Sequence, residues 1–281
     1  MAFRFTAACL QLNSKRDIKD NIPEITTLLD HAVGEGADFI TLPECTGLME
    51  PDGEALREKA PVEKDHPVLA LIQGRAAETA RWVLIGSLAV KLSNGKIANR
   101  SYLIGSDGRI TATYDKIHMF DVALGDGQHY QESETYEPGN DAIITDTPWG
   151  RVGLSICYDV RFAYLYRTLA QQGAALLTIP AAFTKMSGEA HWHVLQRARA
   201  IETGCYVIAA AQCGTHAENR QTFGHSLIVD PWGTVLADGG DAPGVITAKI
   251  DPAQVAVARS KIPALNHDRN YGLSGNRSDT A

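Results

Sequence analysis

The chain has 281 residues, of which 44% are hydrophobic and 21% charged, a composition typical of a globular protein. A chain of this length buries roughly 75% of its unfolded surface, so it needs no disulfide or metal ion for stability. The net charge of −7 argues against a dedicated nucleic-acid binder, because such proteins present basic surfaces.

Neither a membrane span nor a signal peptide is indicated. The longest apolar stretches, such as residues 207–211, are far shorter than the roughly 20 residues that cross a bilayer. The N-terminal segment lacks an apolar core with a cleavage site and is instead typical of a first strand. The five cysteines are odd in number and contain no C-x-x-C pair. We therefore expect a reduced, cytoplasmic protein without zinc.

Strand-like and helical segments follow one another along the chain without repeats or low-complexity linkers. The predicted strands are residues 4–11, 39–42, 82–90, 100–105, 109–113, 143–145, 152–156, 175–180, 206–211, 226–230, 234–237 and 244–250. The predicted helices are residues 17–33, 66–81, 161–172 and 188–203. Many strands are apolar without alternation, which indicates sheets covered on both faces. We expect one domain over residues 1–262 and a polar tail over 263–281.

Cys157 is the most informative cysteine, because it follows the apolar strand 152–156 and precedes a predicted helix. A turn between strand and helix exposes a nucleophile at the sheet edge. Backbone N–H groups there can bind an oxyanion, and the helix dipole favours a thiolate. The alternative is a buried, inert cysteine, which most cysteines are. This segment alone leaves both interpretations open.

Charged residues follow two other predicted strands. Glu44 comes directly after the strand 39–42, where partial burial would raise the pKa of a carboxyl toward that of a general base. Lys116 follows the strand 109–113 and could stabilise a developing oxyanion. Glu132 could orient or neutralise that lysine. Taken singly, Glu44 and Lys116 are more simply explained as exposed loop residues, and Glu132 is equally compatible with such a position.

Histidine-based chemistry finds little support in the sequence. His191 and His193 lie two positions apart in a predicted helix and so point to different faces, which argues against a shared zinc ion. A Cys–His dyad with His118 or His225 would give papain-like chemistry, but no local pattern favours it. We therefore expect no metal ion, and hydrolysis by a thiol requires no organic cofactor.

Three sequence blocks resemble a known family. LPEC at residues 42–45, YDKIHMFD at 114–121 and SICYDVRF at 155–162 are similar to the three signatures of the nitrilase, or carbon–nitrogen hydrolase, superfamily. The resemblance covers nearly the whole chain. It implies an α/β fold, a four-layer α-β-β-α sandwich, and a homodimer or higher homo-oligomer in which such tails often cross to the partner subunit. It also implies a catalytic triad of Glu44, Lys116 and Cys157, with the second glutamate of the family at Glu132.

The resemblance implies a cysteine amidohydrolase that cleaves a non-peptide amide through a thioester, releasing ammonia and a carboxylate. The backbone N–H of Tyr158 is then expected to share the oxyanion with the lysine. Phe183 and Thr184 are expected to contact the substrate, and Arg161 and Lys185 could bind a substrate carboxylate. Arg161 is equally compatible with an internal ion pair.

Residues 190–237 most resemble the branch of the family that hydrolyses deaminated glutathione. Omega-amidases, which act on 2-oxoglutaramate and 2-oxosuccinamate, are close relatives of that branch. We therefore expect a small-molecule amide with a 2-oxo acid end as substrate, and neither a nucleic-acid nor a membrane partner. Hydrolysis of N-carbamoyl amino acids, or a non-catalytic binding role on the same fold, are the alternatives.

Overall fold

The computed structural model describes residues 3–124 and 129–272. Within these residues the strands are β1 (Phe5–Gln11), β2 (Phe39–Thr41), β3 (Trp82–Lys91), β4 (Ile97–Ile104), β5 (Ile110–Asp115), β6 (Asp121–Ala123), β7 (His129–Gln131), β8 (Tyr136–Glu137), β9 (Ile144–Thr147), β10 (Gly150–Leu154), β11 (Ala174–Thr178), β12 (Tyr206–Ala209), β13 (Cys213–Thr215), β14 (Gln221–Phe223), β15 (Leu227–Val229), β16 (Val235–Asp238) and β17 (Gly244–Ile250).

The helices of the same residues are α1 (Ile18–Gly34), α2 (Gly53–Lys59), α3 (Pro67–Thr79), α4 (Glu132–Thr135), α5 (Ala163–Gln171), α6 (Lys185–Thr203) and α7 (Ala253–Lys261). Short 3-10 turns connect some elements, and the one at Cys157–Arg161 follows β10. Across the described ranges, none of these helices combines the length and apolar character that crossing a bilayer requires.

The two large sheets have the same arrangement of parallel and antiparallel strands. The first has the strand order β17-β1-β2-β3-β4-β5, with β8 beside β4, and the second has the order β16-β15-β12-β11-β10-β9. In each sheet three adjacent strands run parallel, β1-β2-β3 in the first and β10-β11-β12 in the second. Antiparallel strands flank both sets. Two catalytic candidates, Glu44 and Cys157, follow strands of these parallel sets.

Apolar packing arranges the sheets and helices in four layers. One buried cluster joins the two sheets and includes Phe5 and Leu84 of the first and Val207 of the second. A second cluster joins the first sheet to α1 and α3, with Ile25 and Ile72 among its members. Helices α5 and α6 contact β10, β11, β12 and β15 of the second sheet. The expected α-β-β-α sandwich is confirmed.

All predicted strands and helices are present, with ends shifted by a few residues. The predicted helix 161–172 begins at Ala163, because the preceding Cys157–Arg161 segment forms a 3-10 turn. Helix α7 was not predicted from the sequence. It buries only Val255 and Ala258, so its apolar pattern is too weak to indicate a helix.

The first part of the predicted tail packs on α5 of its own chain. Arg167 donates a hydrogen bond to the carbonyl of Ala264 over 2.9 Å and pairs with Asp268. Gln171 donates to the carbonyl of Leu265 over 3.1 Å. Residues 273–281 of the tail lie outside the described residues.

Gly86 holds the segment that carries Glu44 close to β3. A Cβ added at Gly86 would lie 2.1 Å from the carbonyl oxygen of Leu42 and 2.4 Å from the carbonyl carbon of Pro43. The next residue, Ser87, accepts a hydrogen bond from the N–H of Cys45 over 3.0 Å through its Oγ. The pairing of β3 with β4 is irregular at this point. The Glu44 loop is therefore seated in a bulge that only glycine permits.

Gly86→Ala should lower both stability and activity, because the backbone beside Glu44 must move to admit the methyl group. We expect a loss of roughly 1–3 kcal/mol in the free energy of unfolding, as for overpacked sites. Gly74→Ala is the matched control, since that helical position has nothing within 4 Å of an added Cβ. Denaturant unfolding and kcat should be compared for the two variants. Equal behaviour would show that the Gly86 contact does not position the loop.

Candidate active site

Glu44, Lys116, Glu132 and Cys157 come from four distant segments and line one cavity. Glu44, Lys116 and Cys157 each follow the end of a strand, β2, β5 and β10 respectively. Glu132 begins the single turn of α4. The structure therefore brings together every residue that the sequence proposed for catalysis.

Lys116 is held between two carboxylates. Its Nζ donates hydrogen bonds to Glu44 Oε1 over 2.9 Å and to the two oxygens of Glu132 over 3.0 and 2.8 Å. The amide of Asn99 donates to one oxygen of each glutamate, over 3.0 Å in both cases. The Lys116 side chain is only 2% exposed. The ammonium group is thus fixed in place by charge-assisted bonds and has little rotational freedom.

The Glu44 carboxylate is fixed at both oxygens. Oε1 accepts from Lys116 and Asn99, and Oε2 accepts from the backbone N–H of Ala182 over 2.8 Å. Ala182 follows strand β11, so this bond joins the ends of the two sheets. Glu132 is anchored in the same manner, because its Oε2 also accepts from the N–H of Phe120 over 2.7 Å.

Asp159, which the sequence analysis did not single out, ties the Cys157 turn to the Lys116 segment. This buried carboxylate accepts from the N–H of Ile156 over 2.8 Å and from the hydroxyl of Tyr114 over 2.7 Å. It also accepts from the N–H of His118 over 3.1 Å. The residues that flank Cys157 and Lys116 are therefore bonded to one side chain.

Cys157 has a backbone conformation that is rare for a residue with a side chain. Its φ is +50°, and its N–H donates to the carbonyl of Pro180 over 2.8 Å. Such left-handed positions occur often at active sites, where the surrounding structure enforces them. The expected helix does not begin at the cysteine, since α5 starts only at Ala163. Its dipole therefore adds little to thiolate stabilisation, because the effect is confined to the first turn.

The charges of the site depend on one another. Burial alone would raise the pKa of Glu44, but the attraction and hydrogen bond of Lys116 hold it below its ordinary value of 4.5. Burial alone would lower the pKa of Lys116, but Glu132 and Glu44 raise it well above 10.5. Burial, followed by the adjacent Glu44 carboxylate, raises the pKa of the Cys157 thiol well above 9.0. At neutral pH the resting site therefore holds a carboxylate, an ammonium and a protonated thiol.

The proposed substrate-contacting residues divide into two groups. Tyr158, Phe183 and Thr184 line the cavity, whereas Arg161 and Lys185 are not among its lining residues. The Arg161 guanidinium lies over the rings of Tyr158 and Phe183, 5.9 and 5.4 Å from their centres. Lys185 is exposed at the start of α6. The cations predicted beside Cys157 thus lie behind or outside the cavity wall.

Neither histidine proposed for a Cys–His dyad is placed to serve it. The two ring nitrogens of His118 lie 2.7 Å from a carboxylate oxygen of Asp159 and 2.7 Å from the hydroxyl of Tyr164. His225 Nδ1 lies 2.8 Å from Asp238, outside the cavity lining. Each imidazole is therefore engaged with partners other than the thiol.

His191 and His193 contact different groups. Its Nε2 lies 2.9 Å from Asp238, which also contacts His225, whereas His191 faces Arg161. The ligand atoms of His193, His225 and Asp238 lie within 4.8 Å of one another, in the geometry of a candidate metal group. Sequence spacing missed this group, because its members lie on α6, before β15 and on β16.

Two polar residues of the cavity lining, Asn99 and Arg220, were not singled out from the sequence. Asn99 is a buried residue of β4, but Arg100 and Ser101 follow it, so no local pattern marks it. Arg220 lies between β13 and β14, and its guanidinium carbon is 5.5 Å from the ring centre of Tyr130. No local pattern distinguishes it from a surface arginine.

Comparison with known proteins assigns this arrangement to a family. The sequence profile described as carbon-nitrogen hydrolase matches residues 6–260. The chain therefore belongs to the carbon–nitrogen hydrolase family. It is a hydrolase that acts on carbon–nitrogen bonds other than peptide bonds, as the sequence predicted.

Two similar sequences carry amidase names, and a solved structure has a similar fold. A protein of Synechocystis sp. called deaminated glutathione amidase is 40% identical over 267 residues, which are 94% of this chain and 97% of that protein. Omega-amidase NIT2 of Danio rerio is 34% identical over 269 residues, 95% of either chain. The solved structure of the C. elegans NitFhit protein superposes with a TM-score of 0.90 and 37% identity. The match covers 96% of this chain and 66% of that one.

Glu132→Gln tests whether Glu132 positions the lysine. The variant keeps the shape of the side chain but removes one of the two charges that hold Lys116. We expect kcat to fall at least tenfold with little change in KM, because the ammonium is then less firmly oriented. Glu134→Gln, an exposed change in the same turn, is the control. Steady-state kinetics with an amide substrate measure both. A Glu132→Gln enzyme as active as the control would refute the positioning role.

Proposed function

We propose that the protein is a cysteine amidohydrolase whose substrate is deaminated glutathione. The observation that carries this proposal is the buried thiol of Cys157 beside an ionised Glu44 and a fixed Lys116 ammonium. The substrate is taken from the relatives of that name, which are similar over nearly the full length of both chains. In deaminated glutathione the scissile amide joins 2-oxoglutarate to the amine of cysteinylglycine.

In the first half-reaction the thiol of Cys157 gives its proton to Glu44 while its sulfur attacks the amide carbon. The N–H of Tyr158 and the Lys116 ammonium stabilise the oxyanion that forms. When the carbon–nitrogen bond breaks, Glu44 passes the proton to the leaving nitrogen. The amine departs, and the acyl group remains bound to sulfur as a thioester.

In the second half-reaction Glu44 takes a proton from water, and the resulting hydroxide attacks the thioester carbon. Collapse of the intermediate expels the Cys157 thiolate, to which Glu44 returns the proton. The product is 2-oxoglutarate, and the thiol is restored. One carboxyl thus acts as base and then as acid in each half, which requires that it be ionised at rest.

The anchoring of Glu44 and Lys116 suits these roles. Glu44 needs no reorganisation to accept a proton, since the N–H of Ala182 and the ammonium of Lys116 already fix its two oxygens. Lys116 does not give up its proton, because Glu132 remains beside it when Glu44 becomes neutral. When Glu44 becomes neutral, the Lys116 ammonium has lost one of its two anionic partners, and it can then stabilise the oxyanion that develops at the same time.

Hydrolysis of 2-oxoglutaramate is a second candidate function, favoured by the similarity to an omega-amidase. The acyl portion is the same, and the leaving group is ammonia instead of cysteinylglycine. The two substrates therefore share the thioester and differ only in the first half-reaction.

The assembly and location of the protein are also proposals. We propose a homodimer built through α5 and α6, which expose the apolar side chains of Tyr164, Met186, Val194 and Ile201. We propose a cytoplasmic location, because all five cysteines are free thiols.

A substrate panel tests the proposed function. Deaminated glutathione and 2-oxoglutaramate are followed by release of 2-oxoglutarate, and an N-carbamoyl amino acid and an aliphatic nitrile by release of ammonia. We expect kcat/KM to be highest for deaminated glutathione, lower for 2-oxoglutaramate and lowest for the nitrile. A preference for the nitrile or for the N-carbamoyl compound would remove the proposed substrate class.

Cys157→Ala should abolish turnover and leave the melting temperature nearly unchanged, because the role of this thiol is chemical. Cys213→Ala is the matched control, since Cys213 is also buried but lies outside the cavity lining. It should keep most of its activity. Turnover and thermal unfolding are measured for both variants. A folded Cys157→Ala protein that still hydrolyses amides would contradict the nucleophile assignment.

A further inference from the structure

Arg220 brings a cation into the catalytic cavity. It is one of the residues that line the cavity, together with Glu44 and Cys157. Within residues 3–124 and 129–272 no carboxylate lies within ion-pair distance, 4.0 Å, of its guanidinium. Arg100, by contrast, is paired with Asp115 over 2.6 Å and with Glu63 over 2.7 Å.

The hydrogen bonds of the Arg220 guanidinium are also incomplete. Its Nε is buried and has no hydrogen-bond partner among the described residues. Nη2 makes one long contact, 3.5 Å, to the carbonyl oxygen of Ala182. A guanidinium carries five N–H donors, and a buried donor without an acceptor costs free energy. An anionic ligand in the cavity would satisfy these donors.

Arg220 is connected to Glu44, the proposed base, through one residue. The backbone of Ala182 lies between them, because its N–H donates to Glu44 Oε2 and its C=O accepts the long hydrogen bond from Arg220. The guanidinium also rests on the ring of Tyr130, which lines the same cavity. Backbone and ring therefore hold the cation at the wall of the cavity that also contains Glu44 and Cys157.

We propose that Arg220 forms an anion subsite that binds the carboxylate of the acyl portion of the substrate, a short dicarboxylic acid monoamide. Guanidinium and carboxylate match as bidentate partners. The acyl portion is favoured over the leaving group because Arg220 Nε is buried. The acyl group stays in the cavity as the thioester, whereas the amine must depart to solvent. This inference rests on the proposed function, for which it names the group that selects the substrate.

Binding of 2-oxoglutarate, the acyl product, tests the subsite without turnover. Calorimetry compares Cys157→Ala with the double variants Cys157→Ala/Arg220→Gln and Cys157→Ala/Arg220→Lys. We expect Arg220→Gln to raise Kd about 10- to 100-fold, as for loss of hydrogen bonds to a charged group. Arg220→Lys should have a smaller effect, since it keeps the charge but not the bidentate geometry. Cysteinylglycine should bind equally to all three proteins.

Arg109→Gln is the control, because Arg109 is 88% exposed and precedes β5, at the end of the strand opposite to Lys116. It should leave Kd unchanged in the Cys157→Ala background. Arg161→Gln tests the competing anchor. The proposal is overturned if Arg161→Gln loses 2-oxoglutarate binding and Arg220→Gln does not. It is also overturned if Arg220→Gln weakens the binding of cysteinylglycine but not that of 2-oxoglutarate.

Steady-state kinetics on enzyme that retains the Cys157 thiol extend the test. Arg220→Gln should raise KM for deaminated glutathione and for 2-oxoglutaramate by similar factors, because the two share the acyl portion. KM for a neutral amide of similar length should not change, and equal losses with the neutral amide would overturn the subsite. Circular dichroism checks folding, and Arg220→Lys supplies the same comparison if Arg220→Gln does not fold.

Failure of the subsite and failure of the proposed function give different results. If deaminated glutathione is hydrolysed but Arg220→Gln binds 2-oxoglutarate as tightly as Arg109→Gln does, the subsite is wrong and the function stands. If no 2-oxo acid amide is hydrolysed while 2-oxoglutarate binding still requires Arg220, the substrate is wrong and the anion subsite stands.

Discussion

The site depends on the buried ammonium of Lys116. Glu44 and Glu132 face each other across it, and the cation screens the repulsion between these two neighbouring carboxylates. Burial favours the neutral form of each group, and only their pairing reverses that preference for Glu44 and Lys116. Removing one member of such a buried pair leaves an uncompensated charge, which costs about 3–5 kcal/mol in comparable cases.

The pairing in turn requires that distant strands end at the same place. The Asp159 carboxylate accepts hydrogen bonds from two of these strand-end segments, from the residue before Cys157 and from the segment after Lys116. The bulge at Gly86 seats the Glu44 loop, and the Ala182 N–H connects that loop to the second sheet. The two sheets are therefore joined at the site by hydrogen bonds as well as by apolar packing. Rigid positioning of this kind is how a preorganised site avoids reorganisation during the reaction.

Much of this arrangement could be predicted from the sequence, because strands that end in charged or nucleophilic residues leave a local signal. Cys157 and Glu44 each follow an apolar run, Lys116 follows a strand-like segment, and the three family signatures contain all three residues. Asn99 and Arg220 leave no comparable signal. Their roles arise from contacts across 55 and 38 residues of chain, from Asn99 to Glu44 and from Arg220 to Ala182.

Arg161 illustrates the limit of arguing from proximity in sequence. It lies four positions after Cys157, but the 3-10 turn directs its guanidinium over two rings and toward His191 instead of into the cavity lining. Helix α7 was missed for a related reason, because its buried face is too narrow to produce an apolar period. The direction of the Arg161 side chain and the formation of α7 both depend on tertiary packing, which the local sequence pattern does not indicate.

Trapping of the acyl-enzyme tests the central claim, covalent catalysis by Cys157 with Glu44 as its base, most directly. Enzyme that retains Glu44 is mixed with deaminated glutathione, quenched in acid during the first turnovers and analysed by intact-protein and peptide mass spectrometry. A 2-oxoglutaryl thioester should be present on the peptide that contains Cys157, hydroxylamine should remove it, and Glu44→Gln, which lacks the base, should form it much more slowly. If no adduct forms at Cys157 at any time while product is still released, the thioester mechanism is contradicted.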